Sequence, residues 1–117
     1  MTALLFPGQG SQYIGMTKDF HDEFAIARET FEKIENSVKI NLRDIIFTNK
    51  SELLNITKYT QLAVYSSSMC IFNVLQNEID IDKLFIKYSL GHSLGEYSAL
   101  TVSNVISVED CSILLKK

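Results

Sequence analysis

From Asp19 to Val38 the apolar residues Phe20, Phe24, Ala27, Phe31, Ile34 and Val38 recur at steps of 4, 3, 4, 3 and 4. An α-helix turns once every 3.6 residues, so this spacing lays all six on one stripe and predicts one amphipathic helix. A second stretch, from about Thr60 to Ile79, carries Leu62, Tyr65, Met69, Phe72, Leu75 and Ile79 at helical spacing. It predicts a second long helix, with Thr57 or Thr60 as the N-cap. The short apolar run Ala3 to Phe6 is stopped by Pro7-Gly8 and predicts a buried strand. Leu84 to Leu90, rich in aromatic and β-branched residues, predicts another strand after a turn at Asp80-Ile81-Asp82. Leu42 to Phe47 and Ser51 to Leu54 read as short helical turns. Leu94 to about Ser103 should be helical. Ser107 opens a last helix running on to Lys117, with Glu109 and Asp110 in its first turn, where the helix dipole favours acids.

Strand, helices, strand, tight turn, helix is the order of an α/β protein with a parallel pair of strands. The punctuation agrees. Pro7, Gly8, Gly10 and Gly15 crowd the start, Gly91 and Gly95 flank one serine, and residues 16 to 90 contain neither glycine nor proline. That middle stretch should be regular structure joined by polar turns.

Composition narrows the function without naming it. Hydrophobic residues make up 46% and charged residues 21% of 117 residues, as in one ordinary globular unit. A net charge of −3 with interspersed signs gives no reason to expect a nucleic-acid or anionic-membrane partner. Met1 to Pro7 lacks the basic flank of a signal peptide, and Leu62 to Leu75 is too short and too polar to span a bilayer, so a cytoplasmic protein is expected. Cys70 and Cys111 have no metal or redox spacing and are expected to be reduced, buried and small.

The chemistry concentrates in Gly91-His92-Ser93-Leu94-Gly95, a Gly-x-Ser-x-Gly segment between a predicted strand and a predicted helix. A nucleophilic serine on such a turn projects its hydroxyl above the sheet. The flanking positions then lie too close to neighbouring backbone to carry a Cβ. The N–H of Leu94, at a helix N-terminus, can face the oxygen of a reacting carbonyl. A plain capped turn would show the same three residues. A second segment, Phe6-Pro7-Gly8-Gln9-Gly10-Ser11-Gln12, leaves the first strand as a glycine-rich loop that could offer the N–H of Gln9 beside Ser93. It has no Gly-Lys-Ser/Thr ending of a phosphate loop, and a simple turn is the competing reading. His92 adjoins Ser93 and should point elsewhere, in a packing or positioning role. His21 should be solvated. No histidine is placed by sequence as the general base a serine nucleophile needs.

These two segments, with Gly91 to Leu100 read as Gly-His-Ser-Leu-Gly-Glu-Tyr-Ser-Ala-Leu, resemble the malonyl-CoA:acyl carrier protein transacylases of fatty-acid synthesis and their polyketide-synthase relatives. Thr60-Gln61-Leu62-Ala63 resembles a third family segment, with Leu62 in place of a proline. The resemblance implies a partial α/β-hydrolase-like core with a nucleophile elbow. Residues 1–117 would form the N-terminal part of the large subdomain, without the smaller ferredoxin-like subdomain. It implies Ser93 as the acyl-carrying nucleophile, the backbone amides of Gln9 and Leu94 as the oxyanion hole, and Gln61 and His92 at the substrate pocket. The substrate would be malonyl-CoA, with no separate cofactor and no metal. Acyl carrier protein would be the acceptor, and a separately encoded C-terminal half a further partner. The family's carboxylate-binding arginine and catalytic histidine would fall beyond Lys117, so these residues alone are expected to be inactive. The alternatives are a polyketide-type acyltransferase, an acyl hydrolase, or a non-catalytic remnant that binds a partner.

Overall fold

The computed structural model describes residues 2–79 and 86–117. In chain order these are strand β1 (Thr2–Phe6), helices α1 (Lys18–Glu23), α2 (Ala25–Val38), α3 (Leu42–Phe47) and α4 (Thr57–Glu78), strand β2 (Ile86–Gly91), and helices α5 (Gly95–Val102) and α6 (Val108–Lys116). The protein is therefore α/β, mostly helical among the described residues, with one two-stranded sheet. β1 and β2 pair in parallel, with Ala3 opposite Tyr88, Leu5 opposite Leu90 and Phe6 opposite Gly91. Parallel strands cannot be joined by a tight turn, and α1 to α4 fill the crossover between them.

The core is helical. Phe31, Ile34 and Val38 of α2, Leu42 and Ile46 of α3, Leu62, Tyr65 and Met69 of α4, and Cys111 of α6 are all essentially inaccessible. α4 lies at the centre, packing against α2, α5 and α6. Ser107 caps α6 by accepting the Asp110 N–H at 3.0 Å, and Glu109 and Asp110 occupy its first turn.

Four expectations change. The stripe from Asp19 to Val38 is two helices, because Phe24 adopts extended backbone (φ −115°, ψ 123°) between α1 and α2. The break leaves carbonyls of α1 without helical partners. The Arg28 guanidinium takes them up, with Nη1 donating to His21 O at 2.7 Å and Asp22 O at 3.2 Å. Phe20 and Phe24 still meet, ring centroids 6.1 Å apart, so the apolar spacing survives a kink it does not reveal. We expect Arg28→Ala to lower stability by about 1 kcal/mol, read as an earlier urea midpoint at unchanged slope.

The Ser51–Leu54 segment is not helical; it forms turns closed by Glu52 N–H to Asn49 O and Ile56 N–H to Leu53 O, both 3.0 Å. Neither Thr57 nor Thr60 caps α4, whose N-cap is Ile56. Thr57 is the first helical residue, and the buried Thr60 hydroxyl donates back to Ile56 O and Leu54 O, pinning the preceding turn to the helix. His21 is not solvated: its side chain is 20% exposed and sits edge-on against Phe31 and Phe47. The expected turn at Asp80-Ile81-Asp82, and Leu84 of the second strand, lie outside the described residues.

Candidate active site

β2 ends at Gly91 and α5 begins at Gly95, so a three-residue turn joins strand to helix. Its middle residue, Ser93, has φ 55°, in the left-handed region that disfavours a residue with a Cβ. Leu94 is already right-handed helical and is 3% exposed, anchoring the turn in the core. Ser93 and His92 are exposed. The turn is closed by Gly95 N–H to His92 O, Glu96 N–H to Ser93 O and Tyr97 N–H to Leu94 O, each 3.0 Å. These tight first-turn bonds pull α5 back under the serine.

The glycines are required by contact. A Cβ on Gly91 would stand 1.9 Å from the Gly95 carbonyl carbon, and one on Gly95 would stand 2.2 Å from Phe6 O. The end of β2, the start of α5 and the end of β1 therefore meet backbone to backbone. Gly8 continues the same seam: its Cβ would lie 2.5 Å from His92 O and 3.7 Å from Leu94 N. The glycine loop after β1 is thus pressed against the serine turn, as the parallel pairing of the two strands requires.

That loop is held from the other side by the start of α4 and the turn before it, and by a bond of its own. Gln9 Nε2 donates to Thr57 Oγ1 at 3.3 Å, Gln12 Nε2 to Asn55 Oδ1 at 2.9 Å, and the Gly10 N–H to Gln12 Oε1 at 2.8 Å. Sequence reading missed Asn55 and Thr57 as loop partners, since nothing in local spacing links them to residues more than forty positions earlier. With the Gln9 side chain engaged by Thr57, its backbone N–H donates to no group among the described residues, and neither does that of Leu94. Gln61 is half-buried one turn after Thr57, on the same side of α4. A second tie was also missed: the buried Tyr65 hydroxyl meets Thr101 Oγ1 at 2.8 Å, fastening α4 to the helix that carries the serine turn. Burial pushes the Tyr65 phenol far up, so it stays protonated as a structural group.

Two uncommitted amides and an exposed hydroxyl thus border one turn, and no group placed to take the hydroxyl proton stands beside them among the described residues. No described side chain hydrogen-bonds the Ser93 hydroxyl; His21 is engaged by Asp22 at 3.1 Å and by two phenylalanine rings, and His92 faces solvent beside the serine. Cys70 and Cys111 are buried and unpaired, and burial raises the Cys70 thiol, so it does not compete as a nucleophile. A cleft of about 360 Å³ opens along the glycine loop, lined by Pro7, Ser11, Tyr13, Met16, Val64 and Ser67 among others, but neither Ser93 nor Gln61 borders it. It therefore lies apart from the serine turn. Among the described residues no three acidic, histidine or cysteine side chains group to hold a metal, and no helix is long and apolar enough to cross a membrane.

The chain belongs to the acyl transferase domain family, whose model matches residues 3–115. The malonyl CoA-acyl carrier protein transacylase of Bacillus subtilis is 36% identical over 115 residues, covering 98% of this chain and 28% of its own length. The crystal structure of the acyl-carrier-protein S-malonyltransferase of Bartonella henselae superposes with a TM-score of 0.89 at 40% identity, over 99% of this chain and 37% of that one. A malonyl-transacylase solved with its type II polyketide acyl-carrier protein gives a TM-score of 0.86 at 33% identity, over 97% of this chain and 36% of its own. The chain thus spans about a third of the length of the relatives it matches.

Proposed function

We propose that residues 1–117 form the nucleophile-bearing part of a malonyl-CoA:acyl carrier protein transacylase, with Ser93 at the nucleophile elbow of an α/β-hydrolase-like core. The observation that carries this is the strained, exposed Ser93 on its three-residue turn, beside the free amides of Leu94 and Gln9. Ser93 Oγ attacks the thioester carbonyl of malonyl-CoA while its proton passes to a base. The carbonyl oxygen becomes an oxyanion held by the N–H groups of Leu94 and Gln9, each such donor contributing roughly 3 kcal/mol to the transition state. Collapse expels the coenzyme A thiolate, which takes up the proton, and leaves a malonyl-serine ester. The thiol of acyl carrier protein then attacks that ester and regenerates Ser93. Gln61 and His92 border the acyl group. Coenzyme A enters only as part of the substrate, and the chemistry calls for no metal.

The base and the group that binds the malonyl carboxylate come from residues outside these 117, either continuous with them or on a separate chain. These residues alone should therefore show no adduct on incubation with malonyl-CoA, by intact-mass measurement. Co-expressed with the C-terminal two-thirds of the Bacillus subtilis relative, they should carry a malonyl ester on Ser93 that acyl carrier protein discharges. Rapid stoichiometric acylation of the 117 residues alone, or an adduct on any other residue, would overturn the proposal. The complex with a polyketide acyl-carrier protein seen in one similar structure favours a second reading, in which only the carrier differs. The carrier that discharges the ester faster distinguishes the two.

A further inference from the structure

The bond between Tyr65 and Thr101 is the only hydrogen bond joining α4 to α5 among the described residues. Tyr65 lies inside the central helix and is fully inaccessible. Its Oη meets Thr101 Oγ1 at 2.8 Å, and Thr101 Oγ1 in turn donates to Tyr97 O at 2.9 Å, one turn back along α5. A hydroxyl carries one hydrogen, and that of Thr101 goes to the Tyr97 carbonyl. Tyr65 is therefore the donor and Thr101 the acceptor. Burial keeps the phenol protonated, so the donor is permanent. Ser66 of α4 and Ser98 of α5 are also buried, but their hydroxyls have no hydrogen-bond partner and take no part in the tie.

Two contacts fix where the short α5 lies. At its start, Gly95 is pressed against the end of β1, where an added Cβ would stand 2.2 Å from Phe6 O. At its far end Thr101, next to last of the eight helical residues, is tied to Tyr65. A rise of about 1.5 Å per residue puts these anchors roughly 9 Å apart. A rod held at both points cannot swing; released at Thr101, it pivots on the glycine seam beside Leu94. Bonded groups carry the restraint to the serine turn: Thr101 holds the Tyr97 carbonyl, and the Tyr97 N–H donates to Leu94 O at 3.0 Å. A threonine hydroxyl bonded to the carbonyl four residues earlier also bends its helix, so the tie sets the curvature of α5 as well as its direction. We infer that Tyr65, acting through Thr101, is a positioning residue that aims the Leu94 N–H at the reacting oxygen. The role rests on the transacylase reading for what that amide faces. A reacting constellation must be held within about 10–20° of its productive geometry, and a misplacement of about 1 Å can cost about 100-fold in rate.

Four variants test the role: Tyr65→Phe, Thr101→Val, the two together, and Thr101→Ser, which keeps the hydroxyl. Either of the first two leaves one buried hydroxyl short of a partner and should lower the melting temperature by a few degrees. The double change removes both polar groups and should recover most of that loss. In the isotope-labelled 117-residue chain, Tyr65→Phe, Thr101→Val and the double variant should each move the Leu94 amide resonance and speed amide exchange at residues 95–97, whereas Thr101→Ser should do neither. With the C-terminal two-thirds of the Bacillus subtilis relative and malonyl-CoA, the double variant should acylate Ser93 about tenfold more slowly per active site. The malonyl-CoA concentration for half-saturation should not change, because the donor acts in the transition state alone. A merely structural pair would instead lower the fraction of chains acylated, and the double variant would restore that fraction along with the stability. Unmoved amides at Leu94 and residues 95–97 in the double variant, or an acylation rate that returns with the melting temperature, would each overturn the inference. No acylation in the unmodified complex would remove the transacylase reading, while the amide signals would still decide whether Tyr65 sets the turn.

Discussion

Ser93→Gly should make the chain more stable and the completed site inert. Ser93 is held at φ 55°, where an L-residue with a side chain is strained by roughly 1–2 kcal/mol. Glycine adopts that conformation without the clash, though it loses more backbone freedom on folding, by about 0.5–1 kcal/mol. The net expectation is a gain of up to about 1 kcal/mol, a rise of a few degrees in melting temperature for a chain of this size. Ser93 makes no side-chain hydrogen bond among the described residues, and its side chain is exposed, so nothing in the fold offsets the gain. The same change removes the only atom on which an acyl ester can form at this turn. In the complex with the C-terminal two-thirds of the relative, transfer should fall by several orders of magnitude, on the scale of about 10⁶ seen when a serine enzyme loses its nucleophile. Ser93→Ala should lose the same activity without the gain in stability, since alanine keeps the Cβ that is strained at φ 55°. Equal melting temperatures for the glycine and alanine variants would show that the backbone at Ser93 stores no strain.

The periodic apolar stripes make much of this fold legible. Strands, helices and their order follow from apolar spacing and from where the six glycine and proline residues fall. The break at Phe24 is not legible, because the apolar steps run across it unchanged and the residue that stabilises it, Arg28, bonds to carbonyls that only the kink exposes. The burial of α4 is also hidden. Its stripe predicts Leu75 and Ile79 inside, yet both are more than a third exposed, while Ser66, Ser67 and Ser68 are buried. α4 is surrounded in its middle by α2, α5 and α6, and serine is small enough to sit where those helices approach closely. At the site, the Gly-x-Ser-x-Gly spacing points to a strand-to-helix turn. The partners that hold the Gln9 loop, Asn55 and Thr57, meet it only through the tertiary fold.

Gly91→Ala should be the most damaging substitution in the chain. The added Cβ would stand 1.9 Å from Gly95 C, 2.0 Å from Gly95 O and 2.4 Å from Glu96 N. All three are backbone atoms of the first turn of α5, so no rotamer can move aside and the turn itself must open. Opening it lifts α5 off both strands and separates the glycine loop from Ser93. Overpacking a rigid interior typically costs ~1–3 kcal/mol, and backbone overlap this deep should exceed that, at about 4 kcal/mol or more. Against a total stability of roughly 5–15 kcal/mol, most of the folded population is at risk. Gly95→Ala meets Phe6 O at 2.2 Å and Gly8→Ala meets His92 O at 2.5 Å, so each should follow with a smaller loss. Gly10 sets the scale: with φ +108° and no atom within 4 Å of its Cβ position, Gly10→Ala bears conformational strain alone, about 1 kcal/mol. Urea midpoints for the four alanine variants should therefore fall in the order Gly10, Gly8, Gly95, Gly91, the last unfolding earliest. Because the three larger losses all come from backbone contacts among the end of β1, its loop, the serine turn, the end of β2 and the first turn of α5, that ranking measures how tightly the backbone encloses Ser93. A Gly91→Ala chain melting within a few degrees of the unmodified one would mean that the turn is loose, and a loose turn could not aim the Leu94 and Gln9 amides at one oxygen.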